Sequence, residues 1–393
     1  MKRVLFVDGE PRALKALGHE MLAHLGEWAF DLAASSSAAV EILSKRPCHL
    51  LIANATLPES DLAALLTEVS RSHPEIIRVV FSGSDELTDI ARRAAPFAHQ
   101  CIGSPLHGPD VLQKLLARVT LLDKVVTSEA VRGLLGSVRE LPHRPETYSR
   151  LQDVTAAEDF GLHDVTAVIE RDPGICTRVL HRVNAGFFTR HTHIHSIRHA
   201  VSLLGIKTVK HIVLASEVYD GLGHACSMDM DRLYDHSFCV GRTAAAFAPA
   251  RLKDDAFLAG LLHDVGCMVL DMATPGAHRR AQELARSEQI PLLAAESKAL
   301  GINHGEAGAY LLGAWGMPLP ILEVVRYHHE PLLVPHAETD LVTFVHVADC
   351  LVDNQPERID VDFLKTTHWL KEVKDWFRIA DRMAHPDYEG FSA

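Results

Sequence analysis

The stretch Ala259-Gly-Leu-Leu-His-Asp-Val-Gly-Cys-Met-Val-Leu270 places an imidazole beside a carboxylate within an apolar segment. The run from Ala256 to Leu270 has the pattern of a buried helix, which indicates a helical domain. Burying such a pair costs free energy unless each group is hydrogen-bonded, ion-paired or bound to a metal. Neighbours on a helix point about 100° apart, so His263 and Asp264 alone cannot complete a metal site. If the pair belongs to a site, other helices must supply the remaining ligands.

Length, composition and charge narrow the class of protein. The chain has 393 residues, which is enough for two domains with separate cores. It is 47% hydrophobic and 23% charged, as expected for a soluble globular protein. The net charge is −12 and no dense Lys/Arg run occurs, which argues against a broad nucleic-acid or membrane contact.

The cysteines and the apolar runs indicate the compartment. The seven cysteines are scattered and never form a C-x-x-C pair, which favours a reducing cytoplasm over a disulfide framework. The N-terminal Met1-Lys-Arg-Val-Leu-Phe-Val-Asp8 meets an acid too early for a signal peptide. No uninterrupted apolar run reaches the roughly 18 residues that a membrane span needs. We therefore expect a cytoplasmic protein.

Short apolar runs alternate with helical patterns in the first part of the chain. The runs are Val4–Val7, His49–Ala53 and Ile76–Phe81. Strands that alternate with helices predict a doubly wound α/β domain with a parallel sheet. Function in such sheets gathers at the carboxyl ends of the strands. The residues expected there are Asp8, Gly9, Asn54, Ser82 and Ser104.

Residues 1–120 resemble the receiver domain of bacterial response regulators, which has a flavodoxin-like fold. The matching phrases are Val7-Asp-Gly-Glu-Pro11, Leu50-Leu-Ile-Ala-Asn54, Leu57-Pro58, Phe81-Ser-Gly83 and Ser104-Pro105. In that family an acidic pair holds magnesium, an aspartate is phosphorylated and a lysine senses the phosphoryl group. The second acid of the pair is replaced by Gly9, the acceptor by Asn54 and the lysine by Ser104. An amide is no nucleophile toward phosphorus, so the resemblance implies a pseudo-receiver. The alternative is an unrelated small α/β domain.

Residues 121–140 are predicted to form a helical connector. Leu112, Leu115, Val119, Leu122 and Val126 repeat at 3-4-3-4 spacing. This stripe is typical of a short parallel coiled coil that would pair two copies of the chain, although it is shorter than a secure coiled coil. Packing of its first half on the receiver sheet explains the same pattern. Both interpretations, homodimer seam and internal packing, stay open.

The remaining residues, 141–393, are predicted to be all-helical. This part resembles the HDOD family, the HD-related output domain of bacterial signalling proteins, over almost its whole length. The resemblance rests on ordered phrases, which are Leu141-Pro142, Val168-Ile-Glu-Arg-Asp-Pro173, Thr177-Arg-Val-Leu-His-Arg-Val-Asn-Ala185, Ile197-Arg-His-Ala-Val-Ser-Leu-Leu-Gly205, Gly260-Leu-Leu-His-Asp-Val-Gly266, His304-Gly-Glu-Ala-Gly308, Trp315-Gly-Met-Pro318, His328-His-Glu-Pro331 and His346-Val-Ala-Asp349.

The resemblance also implies a candidate metal site. Related HD phosphohydrolases hold a divalent metal with one His, a His-Asp pair and a distant Asp, and the matching residues are His236, His263, Asp264 and Asp349. Such donors suit manganese, iron or zinc. The cyclic-diguanylate phosphodiesterases of the HD-GYP branch place further ligands, for a second metal, at the positions of His304, His328 and His329.

Departures from the enzymes favour a non-catalytic role. The lysine that often follows the His-Asp pair in active enzymes is replaced by Cys267, and the Gly-Tyr-Pro phrase is missing after His329. HDOD domains are generally regarded as non-catalytic relatives. We therefore expect a signal-transduction protein whose output module binds signalling proteins or a small ligand. The alternatives are a metal-dependent phosphohydrolase acting on a cyclic dinucleotide or other phosphate ester, and a nucleotide sensor without turnover.

Overall fold

The structure is a computed structural model that describes residues 2–10, 28–73, 76–81, 98, 100–102, 145–157, 159–184, 194–224, 226–315, 317–334 and 340–384. Contacts divide the chain into two units. The first consists of residues 1–144 and 272–322, and the second of residues 145–271 and 323–393. The predicted connector and the predicted residues Ser82 and Ser104 lie outside the described residues, so the boundaries at 120 and 140 stay predictions.

The first unit contains the predicted parallel sheet. Its order is β2-β1-β3-β4-β5, which is the flavodoxin-like order of doubly wound sheets. Every described strand pair is parallel. The strands are β1 Lys2–Val7, β2 Trp28–Ala33, β3 Leu50–Asn54, β4 Ile77–Phe81 and β5 Gln100–Ile102. The α/β class expected from the alternating pattern is confirmed for this part of the chain.

Burial explains why the strand sequences read as continuous apolar runs. The whole of β3 is buried, as expected for an inner strand covered on both faces. Helices α1 Ser36–Lys45 and α2 Glu59–Ser72 contribute Leu43, Leu62 and Leu66 to the core beside the sheet. In the register Val7 pairs with Ala53, so the residues after them, Asp8 and Asn54, lie at the same edge of the sheet.

Three further described helices of the first unit follow one another in sequence. They are α11 Ala277–Glu288, α12 Leu292–Leu300 and α13 His304–Ala314, and α12 packs against both others. A capping box between Asn303 and Glu306 begins α13. The sequence assigned these helices to the helical domain, whereas their contacts group them with residues 1–144.

The second unit is helical throughout its described residues. This confirms the all-α prediction. Helices α10 and α14 each contain a boundary between the units, after Asp271 and after Leu322. The helices are α3 Glu146–Ala156, α4 Leu162–Glu170, α5 Pro173–Asn184, α6 Ile197–Leu204, α7 Ile206–Gly223, α8 Met230–Phe247, α9 Lys253–Leu262, α10 Val265–Ala273, α14 Leu319–Tyr327, α15 Asp340–Val352, α16 Val361–Thr366 and α17 Val373–Ala384.

Two glycines let α8 and α9 approach backbone to backbone. A Cβ atom built on Gly260 would lie 2.6 Å from Gly241 Cα, and one built on Gly241 would lie 2.7 Å from Phe257 O. No side chain can occupy such a gap. Helix α15 packs against both α8 and α9. Buried Tyr219 of α7 also contacts both helices, because its hydroxyl bonds Ser237 Oγ at 2.7 Å and Leu261 O at 3.2 Å.

One described stretch, Ala250–Ala273, is long and apolar enough to cross a membrane by composition. The structure buries 83% of its most apolar window inside the protein. A buried core helix passes the same test, and α9 and α10 are such helices, because residues 256–262 and 265–271 are all buried.

Aromatic side chains near the end of the described chain cover the core of the second unit. Trp376 of α17 stacks on Phe247 with ring centroids 4.9 Å apart and lies edge-on to Phe344 at 5.6 Å. Trp369 packs edge-on to Phe344 at 5.0 Å, and its indole N–H donates to Asp340. Trp376 is only 3% exposed, so this cluster belongs to the core.

Candidate metal centre

The His-Asp pair lies in a break between two helices. Helix α9 ends at Leu262 and α10 begins at Val265, so the single helix predicted over Ala256–Leu270 was wrong at His263 and Asp264. The His263 ring competes with the backbone at this point, because its Nδ1–H donates to Gly260 O at 2.7 Å. That bond fixes the ring and directs its Nε2 atom toward Asp264 and Asp349.

The structure brings the four predicted ligands together. His236 comes from α8 and Asp349 from α15, whereas His263 and Asp264 come from the break after α9. His236 Nε2 lies 3.2 Å from Asp349 Oδ1 and 3.7 Å from Asp264 Oδ2. His263 Nε2 lies 3.4 Å from Asp264 Oδ2 and 3.6 Å from Asp349 Oδ1. Two imidazole nitrogens and two carboxylates therefore converge on one point.

Buried atoms in this centre fit a bound cation. His263 Nε2 and Asp349 Oδ2 are buried, and neither has a hydrogen-bond partner among the described residues. Such atoms are costly to leave unpaired. His236, His263 and Asp349 can each offer a ligand atom within 4.8 Å of the others. Imidazole and carboxylate donors suit manganese, iron or zinc, so the residues fit a divalent transition metal.

Without a metal, the charges in the centre compensate one another. Burial alone would lower the pKa of His263, but the carboxylates of Asp264 and Asp349 outweigh it and raise that pKa well above its usual range. His236 has a raised pKa for the same reason, with Asp349 as its main partner. Burial would raise the pKa of Asp349, but contacts with His236 and His263 hold it well below its usual range. Without a metal, the imidazole and carboxylate groups of the centre therefore stabilise one another's charged forms.

Two of the three residues predicted for a second metal, His328 and His329, belong to the second unit and adjoin the same centre. His328 Nε2 lies 3.5 Å from Asp264 Oδ1, and His329 Nδ1 lies 3.7 Å from Asp349 Oδ2. The third, His304, belongs to the other unit. There its Nδ1 atom lies 2.6 Å and its backbone nitrogen 2.9 Å from Oε2 of the buried Glu296. Glu296 was not among the predicted residues, because a single acid in a helical pattern gives no sign that it is buried.

Two further side chains surround the centre and were also missed. Asp353 Oδ1 lies 3.4 Å from His236 Nδ1, on the side of the ring away from Asp349. Arg358 donates to His329 Nδ1 at 3.1 Å and pairs with Asp353 at 3.4 Å. A carboxylate behind a ligating imidazole orients the ring. The one available signal was spacing, because Asp353 follows Asp349 by four residues.

Cys267, which stands where the resemblance to HD enzymes implies a lysine, is buried. Its side chain is 2% exposed, and its backbone N–H donates to Asp264 O at 3.0 Å. A thiol at this point of α10 carries no positive charge toward the centre. The structure therefore provides no lysine there to hold an anionic substrate.

At the carboxyl edge of the sheet, Asn54 is hydrogen-bonded to Asp8, another residue of the degenerate receiver pocket that the sequence predicted. Asn54 Nδ2 donates to Asp8 Oδ2 at 2.7 Å, and both side chains are buried. Asp8 Oδ1 accepts from the backbone of Glu10 at 2.8 Å and contacts Thr56 Oγ1 at 3.4 Å. The oxygens of Asp8 are thus occupied by donors of the protein itself. Gly9 is exposed beside them.

Comparison with known proteins identifies the helical part. The model of the HDOD domain matches residues 141–331, which therefore form an HDOD domain. An uncharacterized protein of Treponema pallidum is 26% identical over 218 residues, 54% of this chain. The chain spans about two fifths (41%) of the length of that relative.

Two solved structures share the fold. An HDOD domain protein of unknown function from Geobacter sulfurreducens is 24% identical, with a TM-score of 0.53, over 66% of this chain and 88% of its own. A protein from Shewanella amazonensis, described as a candidate phosphohydrolase, is also 24% identical, with a TM-score of 0.50, over 65% of this chain and 94% of its own.

Proposed function

We propose that the chain is a bacterial signalling protein in which a pseudo-receiver controls an HDOD output module that acts by binding. In this proposal the His-Asp centre holds a divalent metal as part of a binding site. The partners are signalling proteins or a small phosphate-bearing ligand such as a nucleotide, and two copies of the chain associate. The HDOD match supports the signalling class.

The hydrogen bond between Asn54 and Asp8 carries the proposal for the input. An amide cannot attack phosphorus, and here it also occupies the carboxylate that would help to hold magnesium. The parallel sheet in the flavodoxin-like order supports a receiver-like fold for residues 1–120. Input must then arrive through association or a ligand, since Asn54 stands at the acceptor position and cannot be phosphorylated.

Mass spectrometry after exposure to acetyl phosphate and magnesium tests the input. We expect no phosphoryl adduct on the full chain or on the Asn54→Ala variant. The Asn54→Asp variant, which regains a carboxylate at this position, serves as the comparison. An adduct on the wild type that disappears in Asn54→Ala would refute the proposal.

A metal-dependent phosphohydrolase is the second candidate function, and the convergence of the four ligands favours it. His236, His263, Asp264 and Asp349 would hold the ion. When bound, such a metal supplies Lewis acidity and lowers the pKa of a coordinated water. Asp353 would orient His236, and the partial exposure of His236 and Asp264 leaves the centre accessible from solvent.

The buried Cys267 favours binding over turnover. Transfer at phosphorus depends on groups that stabilise negative charge as it develops, and a lysine beside the His-Asp pair would serve that purpose. A neutral thiol with a 2% exposed side chain cannot. The same centre can still hold a metal, because Cys267 is not needed as a ligand.

Elemental analysis with a hydrolysis assay separates the two candidates. The wild type is loaded with manganese, iron or zinc beside Asp264→Asn and Asp271→Asn. Asp271 is a matched control, since it is a buried acid of the same unit that binds Ser227 instead of the centre. We expect near-stoichiometric metal in the wild type and control, and none in Asp264→Asn. Hydrolysis of bis(p-nitrophenyl) phosphate that vanishes in Asp264→Asn would establish the phosphohydrolase, whereas metal without hydrolysis supports binding.

A further inference from the structure

His346 uses both ring nitrogens to join two segments of backbone. It lies on α15, three residues before Asp349, and is 3% exposed. Its Nδ1 atom is 2.6 Å from His328 O, and its Nε2 atom is 2.9 Å from Asp360 N. A carbonyl only accepts and an amide N–H only donates, so the proton is on Nδ1 and Nε2 carries the lone pair. Because both nitrogens are engaged, His346 cannot ligate a metal in this arrangement.

One end of this bridge holds the histidine pair beside the centre. The carbonyl that His346 binds belongs to His328, whose ring lies 3.5 Å from Asp264. The next residue, His329, lies 3.7 Å from Asp349. An ion that fixes the Asp264 and Asp349 carboxylates would therefore restrain the rings next to them, and through the His328 carbonyl it would restrain His346.

The other end holds the start of a surface helix. Asp360 is the N-cap of α16, and its side chain accepts from Phe363 N at 2.8 Å. Two residues earlier, Arg358 donates back to His329 Nδ1 at 3.1 Å. These contacts form a closed circuit. His346 bonds His328, the next residue His329 bonds Arg358, and Asp360, two residues after Arg358, bonds His346.

We infer that His346 is a positioning residue that couples the His-Asp centre to α16. Occupancy of the centre changes the stability of the first turn of α16 through the His328 carbonyl, the His346 ring and the Asp360 amide. This inference rests on the proposed function, since it takes a metal at the centre as the input. Coupling of this kind is reciprocal, so a change at Asp360 must alter the affinity for metal.

Hydrogen exchange on the full chain, with and without manganese chloride, tests the coupling. In the wild type we expect manganese to slow exchange of the amides of α16 at least about threefold. In His346→Asn the side-chain amide reaches only to the place of Nδ1, so the donor to His328 is kept and the acceptor for Asp360 is lost. We expect this variant to bind manganese without the change in α16.

A second pair of variants removes the same bond from the other side. Asp360 has φ −74° and Ile359 has φ −62° and ψ 120°, a backbone that accepts proline at position 360. Asp360→Pro and Asp360→Ala both lose the side-chain cap, but only the proline loses the N–H that His346 accepts. We expect the Kd for manganese, measured by calorimetry, to be at least about fivefold higher in the proline variant, the lower end for coupled sites.

The outcomes separate the two levels of the proposal. A wild type that binds no manganese would overturn the proposed metal centre, and the coupling with it. Bound manganese with no change in α16, or a change that persists in His346→Asn, would overturn the coupling alone. Equal manganese affinity in Asp360→Pro and Asp360→Ala would also overturn it.

Discussion

The contact between Gly241 and Gly260 makes a sharp prediction about stability. In Gly260→Ala the new Cβ would start 2.6 Å from Gly241 Cα and 2.8 Å from Gly241 N. Carbon atoms pack at about 3.5–4.0 Å, so the two helices must separate by roughly 1 Å. The neighbouring atoms are backbone and cannot rotate away, so α8 and α9 must move as wholes.

The expected cost follows from two opposing effects. Overpacking in a core costs about 1–3 kcal/mol, and a backbone obstacle places this case near about 3 kcal/mol. Alanine in place of glycine within a helix stabilises the helix by about 1 kcal/mol. We therefore expect Gly260→Ala to lower the free energy of unfolding by about 2 kcal/mol. Because α8 carries His236 and α9 leads into His263, manganese binding should weaken as well.

Gly221 provides the matched control for this prediction. It lies in the exposed last part of α7, and a Cβ built on it meets nothing within 4 Å. Gly221→Ala should stabilise the protein by about 0.5–1 kcal/mol. Urea unfolding followed by circular dichroism measures both variants. If Gly260→Ala were as stable as Gly221→Ala, the close approach of α8 and α9 would be refuted.

Two further predictions concern pH. Burial lowers the pKa of His211 to about 4, whereas its value in the unfolded chain is about 6.5. As pH falls, the unfolded chain therefore binds a proton at His211 before the folded chain does. The stability that neutral His211 contributes to the fold is complete above about pH 6.5 and declines toward pH 4. At pH 5 His211 should cost about 2 kcal/mol, and urea midpoints should fall less between pH 7 and 5 in His211→Leu. An equal fall in both proteins would contradict this. At the centre, His236 and His263 have raised pKa values, so a metal must displace their protons. Manganese affinity should increase from pH 6 to 8, and calorimetry in buffers of different ionisation enthalpy should detect the released protons. An affinity that does not change with pH would contradict this.

The sequence predicted those parts of the structure that depend on pattern. Apolar runs marked β1, β3 and β4 to within a residue or two, because inner parallel strands are buried on both faces. The resemblance to HD phosphohydrolases pointed to His236 and Asp349, two candidate ligands that are 113 residues apart in the chain. That separation carries no periodicity, so the resemblance to a family was needed to pair them.

The features that were not predicted from the sequence depend on contacts that side chains make. The break at His263 arises because a side chain takes a helix carbonyl, and hydropathy does not report this. Arg358 reads as one of many surface cations, yet its position is set by Asp353 and His329. The bridge through His346 joins residues 18 positions before and 14 positions after it, and local spacing contains no trace of such bonds.

The aromatic side chains that cover the core of the second unit lie beyond the end of the HDOD match. The HDOD match ends at residue 331, whereas Asp349 of the centre and Trp376 of the cover follow it. A fragment cut at residue 331 would lose one predicted ligand and expose Phe247, on which Trp376 stacks. Any exchange of this output module between proteins, by recombination or by design, would therefore have to carry the helices through Ala384. The folded unit is therefore longer than the stretch that the HDOD match covers.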